Sequence, residues 1–476
     1  MRHSLYRIIA PSFQILLYLL VIGVLSNTAL AWNIPGDVPV CTATTEQKFP
    51  AIATDGNGGA IITWRDFRDT TTQGGNIYAQ RVDANGVFQW TLNGVAVCTA
   101  LQDQDYPTIV SDSSGGAIIT WEDHRLTAKG IYAQRINAGS ISLWTTNGVA
   151  VCTSAYPQYY PQIISDGNGG AIITWFYMDI CAQRLDSNGN SLWTPNGVAV
   201  CTTGTFPGFP TLTSDGNHGA ILTWQDTRKG GKDIYAQRID SSGFAQWTSN
   251  GIAICTTSGS EQYPMIVSDD SGGAIITWYD DRNGNNDIYA QRINANGVPQ
   301  WTANGVAVCS TANDQNSPML VSDGSSGTII TWNDDRSDIY AQRINASGVP
   351  QWSINGLAIC TAANGQHYPG LISDNNGGAI IVWNDGRNGS GTNIYAQRVN
   401  ANGVSLWTLN GVAISTAGDQ ALPTPVSDGG SGAIIAWIDR RNYSASNIDI
   451  YAQSITANGF VPVELSRFET MEVFKE

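Results

Sequence analysis

Three recurring sets of side chains in this 476-residue chain have types and spacing suited to chemistry. The first is an Asp that follows Ser or Thr: Asp55, Asp112, Asp166, Asp215, Asp269, Asp323, Asp374 and Asp428. A carboxylate in a Gly-rich turn can ligate calcium, but Asp-Gly-Asn-Gly-Gly lacks the successive carboxylates that an oxygen cage needs. Its expected role is to open a tight turn and accept hydrogen bonds from the amides that follow. Calcium is kept as the one metal alternative, and no cofactor is implied. The second set is Asp-x-Arg: Asp66/Arg68, Asp123/Arg125, Asp226/Arg228, Asp280/Arg282, Asp334/Arg336, Asp385/Arg387 and Asp439/Arg441. Seven like pairs read as loop-bracing ion pairs, since bidentate Arg–carboxylate contacts are common and seven active sites are not.

The third set precedes a recurring Pro. The residue before it is aromatic at Phe49, Tyr106, Tyr160, Phe209, Tyr263 and Tyr368, whereas Ser317 and Leu422 depart. Three residues before the Pro stands Gln47, Gln104, Gln158, Gln315, Gln366 or Gln420. Aromatic faces beside amides suit a sugar or a peptide, an apolar platform with orienting hydrogen bonds. The six aromatics with Gln104, Gln158 and Gln366 are therefore the candidate binding set, and packing against the X-Pro turn is the competing account. Catalytic constellations are poor by comparison. His124, His218 and His367 stand in different copies, against a multi-His zinc site. A glycosidase needs two carboxylates facing one sugar. The acids outside the repeat, Asp103, Asp105, Glu261, Asp287, Asp314 and Asp419, fall on the variable loop face and are candidates for such a pair.

These sets sit on eight copies of one repeat, anchored at Pro50, Pro107, Pro161, Pro210, Pro264, Pro318, Pro369 and Pro423. A period near 50 residues built from short β-branched runs between Gly, Asn and Asp describes a propeller blade. Each copy supplies strand A at Pro-x-Ile-x-Ser-Asp and strand B at Ala-Ile-Ile-Thr-Trp. Strand C is Ile-Tyr-Ala-Gln-Arg-Ile and strand D is Val-Ala-Val-Cys-Thr. Strand B, apolar on both faces, belongs between two neighbours. Trp64, Trp121, Trp175, Trp224, Trp278, Trp332, Trp383 and Trp437 close it, and Trp90, Trp144, Trp193, Trp247, Trp301, Trp352 and Trp407 precede strand D. Their fixed spacing marks them as structural. The last copy lacks its second Trp and its strand D, and Trp32 to Thr42 supplies both. The reading is an all-β, eight-bladed propeller of four-stranded blades over residues 32–460, closed by its N-terminal strand, which leaves no open edge. Only the B–C loop varies much in length, and it shares a face with the D–A loop, so that face is where function is expected.

The ends and the charge bound the rest. Residues 1–31 read as a signal peptide: Arg2 and Arg7, an apolar run from Ile15 to Leu25, and Ala29-Leu30-Ala31. The protein is expected to be exported, to the extracellular space, cell surface or periplasm, as a monomer with no membrane span after signal removal. A formal charge of −15 with five Lys argues against nucleic acid. Cys41, Cys98, Cys152, Cys201, Cys255, Cys309 and Cys360 share one repeat position, with Ser415 at the eighth, and Cys181 replaces a strand-C Tyr. Equivalent points of a ring lie too far apart for a disulfide, so all are expected as buried free thiols.

The Ser-Asp-Gly-x-Gly-Gly-Ala-Ile-Ile-Thr-Trp and Asp-Ile-Tyr-Ala-Gln-Arg segments resemble the tandem propeller repeats of exported bacterial proteins of mostly unknown function. The Asp and Trp also resemble, loosely, the Asp-box of sialidase-type propellers, a fold marker that carries no activity with it. The tail from Val461 to Phe468 looks like the opening of a β-sandwich module that often precedes a type IX secretion sorting domain. Residues 461–476 are too few for that module and would be the start of a truncated one. The expected function is a non-enzymatic scaffold whose partner is a glycan or an extracellular protein. A carbohydrate-active hydrolase or lyase on the same face is the alternative, and a purely structural surface module the third reading.

Overall fold

The computed structural model describes residues 32, 37–69, 74–335, 338–389, 391–442 and 448–462. Residues 1–31, read above as a signal peptide, the tail beyond 462 and Arg336 lie outside the described residues. Eight four-stranded antiparallel sheets are present, seven of them built from consecutive strands. The first full blade runs Gln47–Thr54, Ala60–Asp66, Asn76–Val82 and Val95–Cys98 as strands A to D. Strand A of each blade neighbours strand A of the next, and the last neighbours the first, so the innermost strands form a closed ring.

Packing explains why this sequence repeats as it does. Each core cluster joins two blades. One sets Ile61, Ile77 and Trp90 of the first blade against Ile119 and Trp121 of the second. The strand-B tryptophans are fully buried. In six blades the indole Nε1 donates to the Asp of Asp-x-Arg at 2.7–3.3 Å, so a large apolar ring keeps its one polar atom satisfied. The second tryptophans reach across instead. Trp90 Nε1 donates to Ala138 O at 2.9 Å in the next blade, and its counterparts do the same. The Arg of Ala-Gln-Arg bridges the same seam: Arg81 pairs with Asp55 and donates to Ala138 O at 3.2 Å.

The ring closes with the same bonds, made by other residues. Val38–Cys41 pairs with Asp449–Ile455 as strand D of the last blade. Trp32 Nε1 donates to Ala84 O at 3.1 Å, the bond that every second Trp makes to its neighbour. Asp37 then adds a clasp. Its Oδ2 accepts Arg441 Nη2 at 2.5 Å and Ser415 Oγ at 2.6 Å, joining residues 378 positions apart in the chain. Ser415 departs from Cys where this carboxylate arrives, and a hydroxyl is a far better donor to it than a thiol.

The third blade is the second informative departure. Tyr177-Met178-Asp179 stands where Asp-x-Arg would be, and Trp175 Nε1 has no protein acceptor. Six other blades stack the Arg of Asp-x-Arg on the strand-C Tyr, with the guanidinium 3.7–4.1 Å from the ring centre. Without an Arg there is nothing to stack on, and the Tyr gives way to Cys181. Cation–π pairing thus accounts for two substitutions at once.

Candidate functional site

The residue before the anchor Pro adopts a left-handed backbone in all eight blades, with φ between 49° and 57°. Between Lys48 and Ala51, and at the equivalent point of the other described A–B pairs, the register shifts by one residue. This is a β-bulge, a device that turns a side chain out of the alternation of its strand. A bulky residue at positive φ costs on the order of 1–3 kcal/mol and persists only where its surroundings enforce it. Here the turned-out side chains ring the mouth of the central channel. They lie on the face that also carries the B–C and D–A loops, which meet where Gln104 N donates to Gly75 O at 2.7 Å.

Five of these rings form a continuous arc. Phe49, Tyr106, Tyr160, Phe209 and Tyr263 follow blade by blade, with centroids 4.9, 5.3, 6.3 and 4.8 Å apart. Tyr160, Phe209, Tyr263 and Tyr368 are exposed, whereas Phe49 and Tyr106 are half-buried. Two aromatics of strand B widen the arc. Phe176 stacks on Tyr160 at 5.8 Å and Tyr279 on Tyr263 at 5.5 Å. Burial pushes the Tyr279 hydroxyl up to about 12, with Tyr263 beside it adding to the rise, so it acts as a neutral donor. Both follow a strand-B Trp directly. Their signal in the sequence was an aromatic at a position that elsewhere holds Arg, Glu, Gln, Asn or Ile.

The arc breaks at Ser317. Beneath the break lies a cavity of about 690 Å³, bounded by Tyr263 and Tyr279 on one side, Tyr368 and Leu422 on the other, and Met265 and Met319. Gly370 opens it further, because a Cβ there would come within 2.9 Å of Pro425 Cδ.

The glutamines of the candidate set do not join the rings. Gln104, Gln158 and Gln366 are buried, and each Nε2 donates to the D–A turn, as Gln104 does to Gln102 O at 2.9 Å. These three buried amides satisfy inward carbonyls of that turn and so brace the loop, away from the exposed rings. The amides nearer the mouth are Asn316 and Asn333, half-buried, and the Asn384 side chain, whose Oδ1 has no protein partner.

The acids outside the repeat sort into three uses. Asp103, Asp314 and Asp419 each accept a B–C loop amide, from Gly75 at 2.8 Å, Asn286 at 2.7 Å and Thr392 at 3.0 Å. Asp287 is held by Asn283 and Asn285. Asp105 and Glu122 are direct cross-strand partners on the second blade. Arg65 pairs with both Asp103 and Asp105, and Lys129 Nζ meets Glu122 Oε2 at 2.8 Å. His124 Nε2 lies 3.8 Å from Asp105. Burial pushes the Asp105 carboxyl above its ordinary range despite Arg65, with Asp103 adding to the rise. These charges belong to the first two blades, and no charged residue lines the cavity.

The repeated sets are committed to structure. Asp55 Oδ1 accepts Asn57 N and Gly59 N, each at 2.8 Å, while Oδ2 takes Arg81, so no oxygen is spare for a cation. Asp66 and Arg68 form a bidentate pair, as do Asp280 and Arg282. The described cysteines are all free and, apart from half-buried Cys181, buried. They are less plainly apolar than expected, because Arg68 Nη2 approaches Cys41 Sγ at 3.0 Å and four other blades repeat the contact. Burial nevertheless raises the Cys41 and Cys98 thiols to about 12. Among the described residues one group, Cys255, Glu261 and Asp280, brings metal-capable atoms within 4.8 Å of one another. Arg282 already bonds both Cys255 Sγ and Asp280 there, and a guanidinium opposes a cation in the same space.

Among the described residues no helix is long and apolar enough to cross a membrane. No family model matches the chain, and no curated protein matches it. Among solved structures the chain is similar to an ulvan lyase of polysaccharide lyase family PL25, at 11% identity over 90% of this chain and 96% of that one, TM-score 0.49. It is similar also to a protein of unknown function from Dyadobacter fermentans DSM 18053, at 9% identity over 89% and 97%, TM-score 0.44. A puromycin hydrolase matches at 12% identity, with 87% of this chain covering 61% of that one, TM-score 0.45. The blade count rests on the chain's own eight four-stranded sheets, closed by the N-terminal strand: it is an eight-bladed β-propeller.

Proposed function

We propose that the protein is an exported binding scaffold that engages a glycan or an extracellular protein at the channel mouth on its B–C/D–A face, without catalysis. The observation that carries this reading is the arc of aromatic rings turned toward solvent by strained, left-handed bulges. Burial alone gives no account of Tyr160, Tyr263 and Tyr368 standing 42%, 45% and 60% exposed. Exposed aromatic faces in a concave mouth are favourable contact surface for the flat apolar side of a sugar or for protein side chains. The experiment is a glycan array and pull-down from culture supernatant with the wild type and a Tyr160→Ala/Tyr263→Ala variant. Capture that the variant loses supports the reading, and capture that it retains in full overturns the assignment to the arc.

A second reading, a carbohydrate-active hydrolase or lyase, is favoured by Asp105 and Glu122. They are paired across two strands beside Tyr106 and Tyr160, and burial raises the Asp105 carboxyl. Two neighbouring carboxyls are the equipment that acid–base cleavage of a glycosidic bond uses. Turnover of chromogenic glycosides or release of unsaturated sugars, abolished by Asp105→Asn, would replace the first reading with this one.

A further inference from the structure

We propose that the cavity at Ser317 is a receptor for an uncharged, planar aromatic group, whose ring takes the place in the arc that the chain itself leaves empty. The inference rests on the channel mouth being a binding site and names what one part of it accepts.

Periodicity locates the vacancy. Six of eight blades place an aromatic ring at this position, and Ser317 keeps the same left-handed backbone, φ 53°, without the ring. The neighbouring blades still supply the two walls, Tyr263 and Tyr368. In the arc, rings of successive blades settle 4.8–6.3 Å apart, so the missing member is one aromatic ring in thickness. The seventh blade makes the same concession, because Gly370 stands one residue past its anchor Pro, where the other blades carry side chains up to Met in size.

Chemistry narrows the guest. No charged residue lines the cavity, although Arg65, Asp105, Glu122 and Lys129 crowd the other side of the same mouth. An ionic guest would find no partner there. Met265 and Met319 also line it, and polarizable thioethers make favourable contacts with ring edges. Its walls are mostly apolar, with hydrogen-bonding groups confined to Asn316, Ser317, Thr424 and the phenols of Tyr263, Tyr279 and Tyr368. A pyranose carries a hydroxyl on most of its ring carbons and loses about 1–3 kcal/mol for each one left unpaired against such walls, whereas an aromatic ring has few polar groups to place. The volume falls in the range of roughly 300–1,000 Å³ typical of small-molecule sites.

Calorimetric titration of the full chain with p-cresol, N-acetyl-L-tyrosinamide, cyclohexylmethanol and methyl glucoside tests this. Both aromatic probes should bind, with cyclohexylmethanol and methyl glucoside about tenfold weaker or silent. Ser317→Tyr installs the residue that four other blades carry on this backbone, and should weaken both aromatic probes about tenfold or more. Should that variant fold poorly, Tyr368→Ala removes an exposed wall and should weaken them likewise. Tighter binding of N-acetyl-L-tyrosinamide than of p-cresol supports the site with a protein side chain as the natural guest; the reverse supports it with a free small aromatic. Silence of both aromatic probes on the wild type, binding unchanged in Ser317→Tyr, or preference for methyl glucoside overturns the proposal. A glycan or protein ligand captured through Tyr160 but indifferent to Ser317→Tyr would leave the binding scaffold standing while this site fell.

Discussion

Glu261→Gln should make the protein more stable at neutral pH and remove part of its pH dependence. Six blades place Gln at this position, and its Nε2 donates into the D–A turn or, for Gln420, also to Asp439 at 3.2 Å. Glu261 keeps the shape but loses the donors. It is buried, faces Asp280 across the strand pair, and accepts from Thr257 through Oε1 while Oε2 has no protein partner. Burial is the main cause that pushes its carboxyl from 4.5 to about 7, with the Asp280 and Asp233 charges adding to the rise and Thr257 opposing it. A carboxyl that holds its proton more tightly when folded stabilises the fold at low pH. That stability is full below 4.5 and is lost as pH rises through 7. At about 1.4 kcal/mol per pH unit, the loss is on the order of 3 kcal/mol. Urea unfolding followed by tryptophan fluorescence, on wild type and Glu261→Gln from pH 4 to pH 8.5, reads the difference directly. The variant should match the wild type near pH 4 and gain on the order of 3 kcal/mol by pH 8. Taking the difference cancels the titrating groups that do not interact with Glu261, leaving its own titration and its coupling to Asp280 and Asp233. A difference that stays flat across this range refutes the reasoning.

Four further outcomes follow from the same contacts. Asp37→Ala removes the carboxylate of the clasp, leaving Ser415 without its acceptor and Arg441 on Asp439 alone, and should cost about 1–3 kcal/mol in urea unfolding, against about 1 kcal/mol for Ser415→Ala. The seven cysteines at the Val-Cys-Thr position should stay unreactive to a thiol reagent at pH 8 until denaturant is added, because burial holds those thiols well above their ordinary range; fast labelling of the native protein would contradict this. Tyr368→Gly relieves a left-handed backbone at an exposed ring and should leave stability unchanged or raise it by about 1 kcal/mol, read from the urea midpoint. Chelation with EDTA, or added calcium, should leave Tm unchanged, since seven of the eight turn aspartates have both oxygens bonded and Asp428, whose blade carries Ser454 in place of the Arg, offers a single oxygen; a calcium-dependent rise would show a ligand set other than the seven.

Trp32 and the incomplete last copy were enough to read the number of blades and the ring closure from sequence. Invariant spacing reports a packing problem solved the same way eight times, and period-two and turn signals are local. The departures from the repeat could be seen in the sequence but not interpreted there. Ser415 stands in for Cys because Asp37 reaches it from the other end of the chain, and Cys181 stands in for Tyr because its blade has no Arg to stack on. Each reason is a contact between distant residues, and a repeat pattern carries no record of such contacts. The site divides along the same line. The recurring aromatic before Pro was legible as a composition, but its exposure depends on a bulge with positive φ, and the burial of Gln104, Gln158 and Gln366 depends on where the D–A turn folds back. The cavity at Ser317 and Gly370 arises only when two blades place a missing ring and a missing side chain against the same space. Sequence alone thus determined the architecture, because local periodicity dictates it; tertiary structure decided which of its repeated residues face solvent, because exposure is a property of the assembled ring.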